Sequence, residues 1–356
     1  MKKQFFPIIS IAVIFNSCVK MSISDDIPIE SVQITMTFQS FTNNQDGSNL
    51  NDRKISIAGS GSVYIDWGNG KVIEEHKLKS DWTEFTYTEY PYISPARTIT
   101  ITVTGVNIRR FDCSKNRLTS LEVNENHTLK ELYCKENRLV KINVSNNTAM
   151  EKIELATQIG SNGSRSLEEL NVSNTALTTL NCRYHILKTL NVSNMSKLKE
   201  LDCRENRLTN IDVSNNTVLE KLDFATQTIS GNRVLEVLNV SNTALKSLNC
   251  NSHILNILDV SGIPALIQLE CNNNQLISLI VSAKNTALNK VECKNNKLTA
   301  DALNSLFKAL PKNDIPGVKK NIYIDNNSVS SKSDYNTSLA TGWTVTDDTV
   351  YSEGTL

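Results

Sequence analysis

The sequence predicts a chain in three parts: an N-terminal β-sandwich, a solenoid of stacked coils, and a closing segment of one helix and strands. Three observations predict it. Between Ile27 and Gly105, short runs alternate apolar and polar residues, as strands do. From Val106 to Leu298 an apolar pattern returns about every 21 residues, a period typical of stacked coils. Beyond that, Leu303, Leu306, Phe307 and Leu310 fall at helical spacing.

The 356 residues include 37 Lys plus Arg and 37 Asp plus Glu, so the net charge is zero. Nucleic-acid binding normally leaves a basic footprint, and the charge balance gives that partner class no support. The chain opens MKKQFFPIISIAVIFNSC, two lysines and then an apolar run from Phe5 to Phe15. That is the layout of a secretory signal over residues 1–17, too short for a stable membrane span. Phe15-Asn16-Ser17-Cys18 resembles the cleavage box of bacterial lipoproteins, although that box usually has leucine three residues before the cysteine and alanine or serine next. The resemblance implies an acylated Cys18 as the first mature residue and a flexible tether over 18–26, so the membrane is touched only through the lipid. The alternative is a plain signal peptide cut nearby.

Residues 27–105 contain the runs VQITMTF, RKISIAG, SVYIDWG, EFTYTEY and RTITITVTG, separated by turn signals such as Asp46-Gly47-Ser48 and Gly68-Asn69-Gly70. Several short strands in so few residues predict a sandwich. The pieces SVYIDWGNGK, TYTEYPY and RTITITVTG resemble a polycystic-kidney-disease (PKD-like) domain, with Asn69 where that family usually has aspartate. The resemblance implies a spacer or adhesion module with Trp67 in its core, and no site falls on Asp66 or Trp67.

Seven cysteines, Cys113, Cys134, Cys182, Cys203, Cys250, Cys271 and Cys293, mark the repeats over 106–298. Leu155 and Phe224 each lie 21 residues after a cysteine and fill the two long gaps, giving nine rungs spaced 21, 21, 27, 21, 21, 26, 21 and 22. Leu121, Ile142, Leu190, Ile211, Leu258 and Leu279 follow the first six cysteines by eight residues. The unit L-x-x-L-x-C-x-x-N-x-L-x-x-[LI]-x-V-x-x-N resembles the leucine-rich repeat, with cysteine where leucine is usual. Its length and its cysteine resemble the bacterial cell-surface, internalin-like class. The resemblance implies a short parallel strand at each L-x-C and an opposite face built from the L-x-V-S segments. It also implies that the residue three after each rung is buried at a turn: Asn116, Asn137, Gln158, His185, Asn206, Gln227, His253, Asn274 and Asn296. These types share the donor–acceptor character that pairs buried backbone, which makes His185 and His253 structural.

Cys134–Lys199 reads like Cys203–Gln268, which indicates a three-coil block copied in tandem. Insertions at 159–166 (IGSNGSRS) and 228–233 (TISGNR) fall at equivalent places and predict two loops on one flank. The Asn-x-Ser triplets at Asn143, Asn171, Asn191 and Asn239 recur because the repeat recurs, and carry no modification claim.

Four roles compete for the cysteines. Zinc needs about four ligands converging tetrahedrally, whereas one cysteine per coil gives a row about 4.8 Å apart. Disulfides need Cβ atoms within about 4.5 Å, and parallel in-register neighbours point the same way. A nucleophile needs an exposed, electropositive setting beside a base. The fourth role is a small apolar core residue, and Leu155 and Phe224 in the same row favour it. No cofactor, metal site or catalytic group emerges.

The residues flanking each rung point outward, an acidic row beside a partly basic one along a sheet roughly 40 Å long. Two readings follow: rows that keep an exposed sheet solvated, or a protein-binding face. The candidate partner-binding residues are Tyr133, Lys135, Arg183, Tyr184, Asp202, Arg204, Asp223 and Glu270, with Tyr184, Arg183 and Arg204 as the expected hot spot. Few aromatics weigh against carbohydrate. Over residues 299–356 Thr299 caps a helix, Pro311 stops it, and NIYIDNN and GWTVTDD form strands that close the array. That tail resembles the closing segment of Bacteroides-type surface leucine-rich-repeat lipoproteins. The combined expectation is a noncatalytic exported protein, at the outer membrane or cell surface, or else secreted or periplasmic. A structural spacer or accessory glycan-binding component of a surface assembly is the alternative.

Overall fold

The structure, a computed structural model, describes residues 31–39, 53–87, 98–173, 176–229, 231–241, 243–313, 317–327 and 341–347. The expected signal peptide, Cys18 and the tether over 18–26 lie outside the described residues.

The repeats build a parallel β-solenoid. Each L-x-C segment contributes a three-residue strand, beginning with Glu131–Tyr133 and Lys152–Glu154 and running to Lys290–Glu292. Neighbouring strands pair parallel and in register, Leu132 beside Ile153 and Leu201 beside Leu222. The residue at the strand centre and the rung two places later both point inward, and every cysteine from Cys113 to Cys293 is fully buried. A second row stacks on the opposite side from the L-x-V segments, with Lys141–Asn143 pairing Glu169–Asn171 and Ile257–Asp259 pairing Ser278–Ile280.

Five strands precede the coils: β1 (Val32–Gln39), β2 (Arg53–Asp66), β3 (Glu74–Lys77), β4 (Thr83–Tyr87) and β5 (Thr98–Asp112). All five belong to one hydrogen-bonded sheet, and it is also the sheet of the solenoid. The expected boundary at 105/106 falls inside β5, whose Arg110–Asp112 pairs with Glu131–Tyr133. The antiparallel β2–β5 pair is irregular at Ala58/Gly59 and Ser60/Val63. Gly59 is required there, because a Cβ would lie 2.0 Å from the Asn107 carbonyl oxygen. β1 pairs with β5 along one edge and with Ser120–Glu122 along the other, so it ties together the first strands of both rows. An array exposes an open coil at each end, and β1 covers this one. Trp67 is buried and stacks on Tyr87 with ring centroids 5.4 Å apart.

At the other end, Thr299 caps helix α1 (Ala300–Ala309) by accepting from the Ala302 N–H, and Leu303, Leu306 and Phe307 are its buried face. The helix does not terminate the sheet. Lys320–Tyr323 pairs parallel with Lys290–Glu292, and Trp343–Thr346 adds one strand more. Ile324 stands as a further rung, and Asn327 donates back to the carbonyls of Ile324 and Cys293 as the earlier asparagines do. The cysteine spacing does not announce this coil, because α1 is inserted before it.

Each coil turns through a left-handed residue two places after the rung: Lys115, Glu136, Thr157, Tyr184, Glu205, Thr226, Ser252, Asn273, Asn295 and Asn326, with φ between 53° and 67°. A side chain in that region costs roughly 1–2 kcal/mol. The next residue offsets that cost. Asn206 Nδ2 donates to the carbonyls of Cys182 and Cys203, both at 2.9 Å, while its Oδ1 accepts from the Leu187 N–H at 3.2 Å. Asn137, Gln158, Gln227, Asn274 and Asn296 repeat this arrangement. At the far turn Asn147, Asn216 and Asn285 form a second buried ladder, each donating to two carbonyls of the preceding coil.

Replacing Asn206 with alanine strands two buried carbonyls and one N–H, each worth about 1–3 kcal/mol when unpaired. Asn206→Ala is therefore expected to lower stability by about 3 kcal/mol or more in urea unfolding, whereas Asn206→Gln, the type found at 158 and 227, costs less.

Candidate functional site

The outward rows of the main sheet carry the candidate residues. Asp202 lies on the strand Glu200–Asp202, and Arg183 and Arg204 follow the rungs of adjacent coils. Arg204 bridges two carboxylates, Asp202 at 3.0 Å and Asp223 at 3.1 Å, and Arg183 approaches Asp202 at 3.8 Å. Four of the candidates thus form one alternating charge chain across three coils. Burial raises the Asp223 carboxyl above the usual range, while Arg204 beside it pulls the other way. Glu270 is apart from this chain and accepts from Asn251 at 3.3 Å. The linked, partly buried carboxylates hold the guanidinium of Arg204 in one direction across the coils.

Tyr133 and Tyr184 are not together. Tyr133 is on the strand Glu131–Tyr133, its hydroxyl donating to Glu131 at 2.8 Å with Lys152 5.3 Å from its ring centre. The edge of Trp82 meets that ring at 5.8 Å, and the guanidinium of Arg110 covers Trp82 at 4.8 Å. Trp82, just before β4, is 40% exposed, which makes an aromatic ledge over the first coils. Lys135 lies past the Cys134 rung beside it, its backbone N–H donating to Ser114 Oγ at 3.1 Å. Tyr184 is off the strands altogether. It is the left-handed turn residue of its coil, and Arg165 from the first insertion stacks on its ring at 3.8 Å.

Reading outward positions from the sequence missed Trp82, Arg110, Lys152 and Arg165. Lys152 had a signal, since it stands two residues before Glu154 and so faces the same way. Arg110 had the same signal, two residues before Asp112, whereas Trp82 and Arg165 reach their partners from outside the coil strands and no periodicity marks them.

The seven rung cysteines are free and buried, and burial pushes the thiols up, those of Cys250 and Cys293 to about 12. Buried His185 and His253 are pushed down to about 3 and about 4, chiefly by desolvation. His253 Nε2 donates to the Phe224 carbonyl at 2.9 Å, and His185 Nδ1 accepts the Gln158 N–H at 3.4 Å. Among the described residues, no group of three or more His, Cys, Asp or Glu is placed to hold a metal ion.

No family model matches the sequence, and none of the curated proteins does. Solved structures similar to this one include the functional domain of InlJ from Listeria monocytogenes, described as including a cysteine ladder. It is 28% identical, with 61% of this chain and 51% of that chain covered and a TM-score of 0.41. YopM from Yersinia enterocolitica is 17% identical over 62% and 47% of the two chains, with a TM-score of 0.41. An internalin (InlF) from Listeria monocytogenes is 21% identical over 49% and 64%, with a TM-score of 0.31. This chain spans about half the length of the first two.

The histidines predict an acid sensitivity. Their folded pKa values lie below the ordinary value near 6.5, so the unfolded chain takes up protons first as pH falls. The stability they support is complete above about pH 6.5 and is lost progressively toward the folded values. Each histidine is expected to cost about 1–2 kcal/mol at pH 5 relative to pH 7. Melting at the two pH values should show a smaller drop for His185→Asn/His253→Asn than for the parent chain; equal drops would refute this.

Proposed function

We propose that the chain is a noncatalytic, exported repeat protein that binds a protein partner through the outward face of its main sheet. The observation that carries this reading is the alignment along one face of Arg183, Asp202, Arg204 and Asp223 with the exposed Trp82–Tyr133 ledge. An ordered charge chain gives orientation and an exposed aromatic gives desolvated contact area, the combination that dominates protein interfaces. Lys135 and Glu270 extend the same rows. The interior is committed to packing and to the amide ladders, which leaves the outer rows free for recognition.

Export at the lipid-modified Cys18 completes the proposal, with residues 27–105 as a PKD-like spacer that holds the solenoid away from the membrane. Mass spectrometry of the mature N-terminus tests it, with a diacyl or triacyl Cys18 as the expected species; a mature chain beginning elsewhere without acyl groups removes the anchor.

The face itself is tested by capture from cell-surface extracts with the mature chain. A partner retained by the wild-type protein should be lost, by tenfold or more in affinity, when Tyr133→Ala and Arg183→Glu are combined and the melting temperature is unchanged. Retention at equal affinity would take that face out of the account.

A further inference from the structure

We propose that Arg233 is the open counterpart of a closed arginine clip, poised to take a carboxylate from an acidic, aromatic-containing polypeptide segment lying along the turn flank of the solenoid. This rests on the partner-binding reading and adds to it a second place of contact and a partner chemistry.

The first copied block shows what closes such a clip. Arg165, next to last in the first insertion, stacks on the Tyr184 ring at 3.8 Å, and donates through Nη1 to the Glu205 carbonyl and through Nη2 to Glu205 Oε2, both at 2.7 Å. Its guanidinium therefore has a flat apolar surface, a backbone acceptor and a carboxylate. Arg233 ends the second insertion and makes the corresponding backbone contact, Nη1 to the Asn273 carbonyl at 2.5 Å, again across 40 residues. The loops agree in form as well, with an antiparallel bridge between Ile159 and Arg165 in one and a Thr228–Ile229/Asn232–Arg233 hairpin in the other.

The coils that the two arginines meet differ in what completes the arginine. Ser252 stands two after its rung where Tyr184 does, and Asn273 stands where Glu205 does. Arg233 is exposed, and among the described residues its guanidinium has the Asn273 carbonyl and no carboxylate. Guanidinium is a rigid fork suited to a planar carboxylate and to an aromatic face. The first copy therefore specifies what the second is missing, and both missing groups are amino-acid side chains.

The test uses the full chain and fluorescence anisotropy of a labelled peptide of alternating glutamate and tyrosine, with a glutamine-for-glutamate peptide and dextran sulfate as comparison probes. The acidic peptide is expected to bind, and Arg233→Gln to weaken it about tenfold or more. Ser252→Tyr/Asn273→Glu, which supplies the ring and the carboxylate from within, is expected to weaken it equally without lowering the melting temperature. Tyr133→Ala/Arg183→Glu is expected to leave peptide binding intact, so failure of the sheet-face reading and failure of the clip give different patterns. Absence of peptide binding, equal binding by Arg233→Gln, or equal binding of the glutamine peptide overturns the proposal. So does dextran sulfate binding that the acidic peptide fails to displace.

Discussion

The structure depends on a buried planar polar side chain three residues after each rung, in most coils an amide bonded at once to its own coil and to the coil before. Stacked turns bring backbone carbonyls and N–H groups into the interior that no sheet ladder pairs, and an unpaired buried group is costly. Asn206 meets three such needs, on Cys182, Cys203 and Leu187. The left-handed residue just before it, Glu205 at φ 54°, is what turns the chain so that this amide points inward. The second ladder through Asn147, Asn216 and Asn285 does the same at the far turn, so these three coils are fastened at both bends.

That constraint separates inside from outside. The rung tolerates cysteine, leucine or phenylalanine, since all are apolar, and the amide position tolerates Asn, Gln or His, since all are planar and polar. The outer positions answer to no such requirement. In the tandem copies the interior pattern is preserved while Arg183 corresponds to Asn251 and Tyr184 to Ser252. The buried differences, such as Leu155 against Phe224, stay within the apolar class, whereas the outer ones change chemistry.

The coil period, the buried cysteine row and the polar turn row were legible from the sequence because they repeat, and repetition averages out local ambiguity. The helix at Ala300–Ala309 was legible from Thr299, Pro311 and four apolar residues at helical spacing. Contacts made once were not. Trp82 meets Tyr133 and Arg165 meets Tyr184 through excursions from a different element, and the Ile324 rung comes 31 residues after Cys293, outside any repeat spacing. The continuity of β5 into the first coil was hidden for a related reason: a leucine pattern begins near Val106, but a hydrogen-bonded strand need not end where a pattern does.

The central claim is that adjacent coils are coupled through these amides rather than by apolar stacking alone. Hydrogen–deuterium exchange by mass spectrometry on Asn206→Ala, run beside the parent chain, tests it most directly. The account predicts faster exchange in two coils together, at the turn after Cys203 and at the turn after Cys182, where Leu187 loses its acceptor. Faster exchange limited to the substituted turn, with the Cys182 coil unchanged, would contradict it.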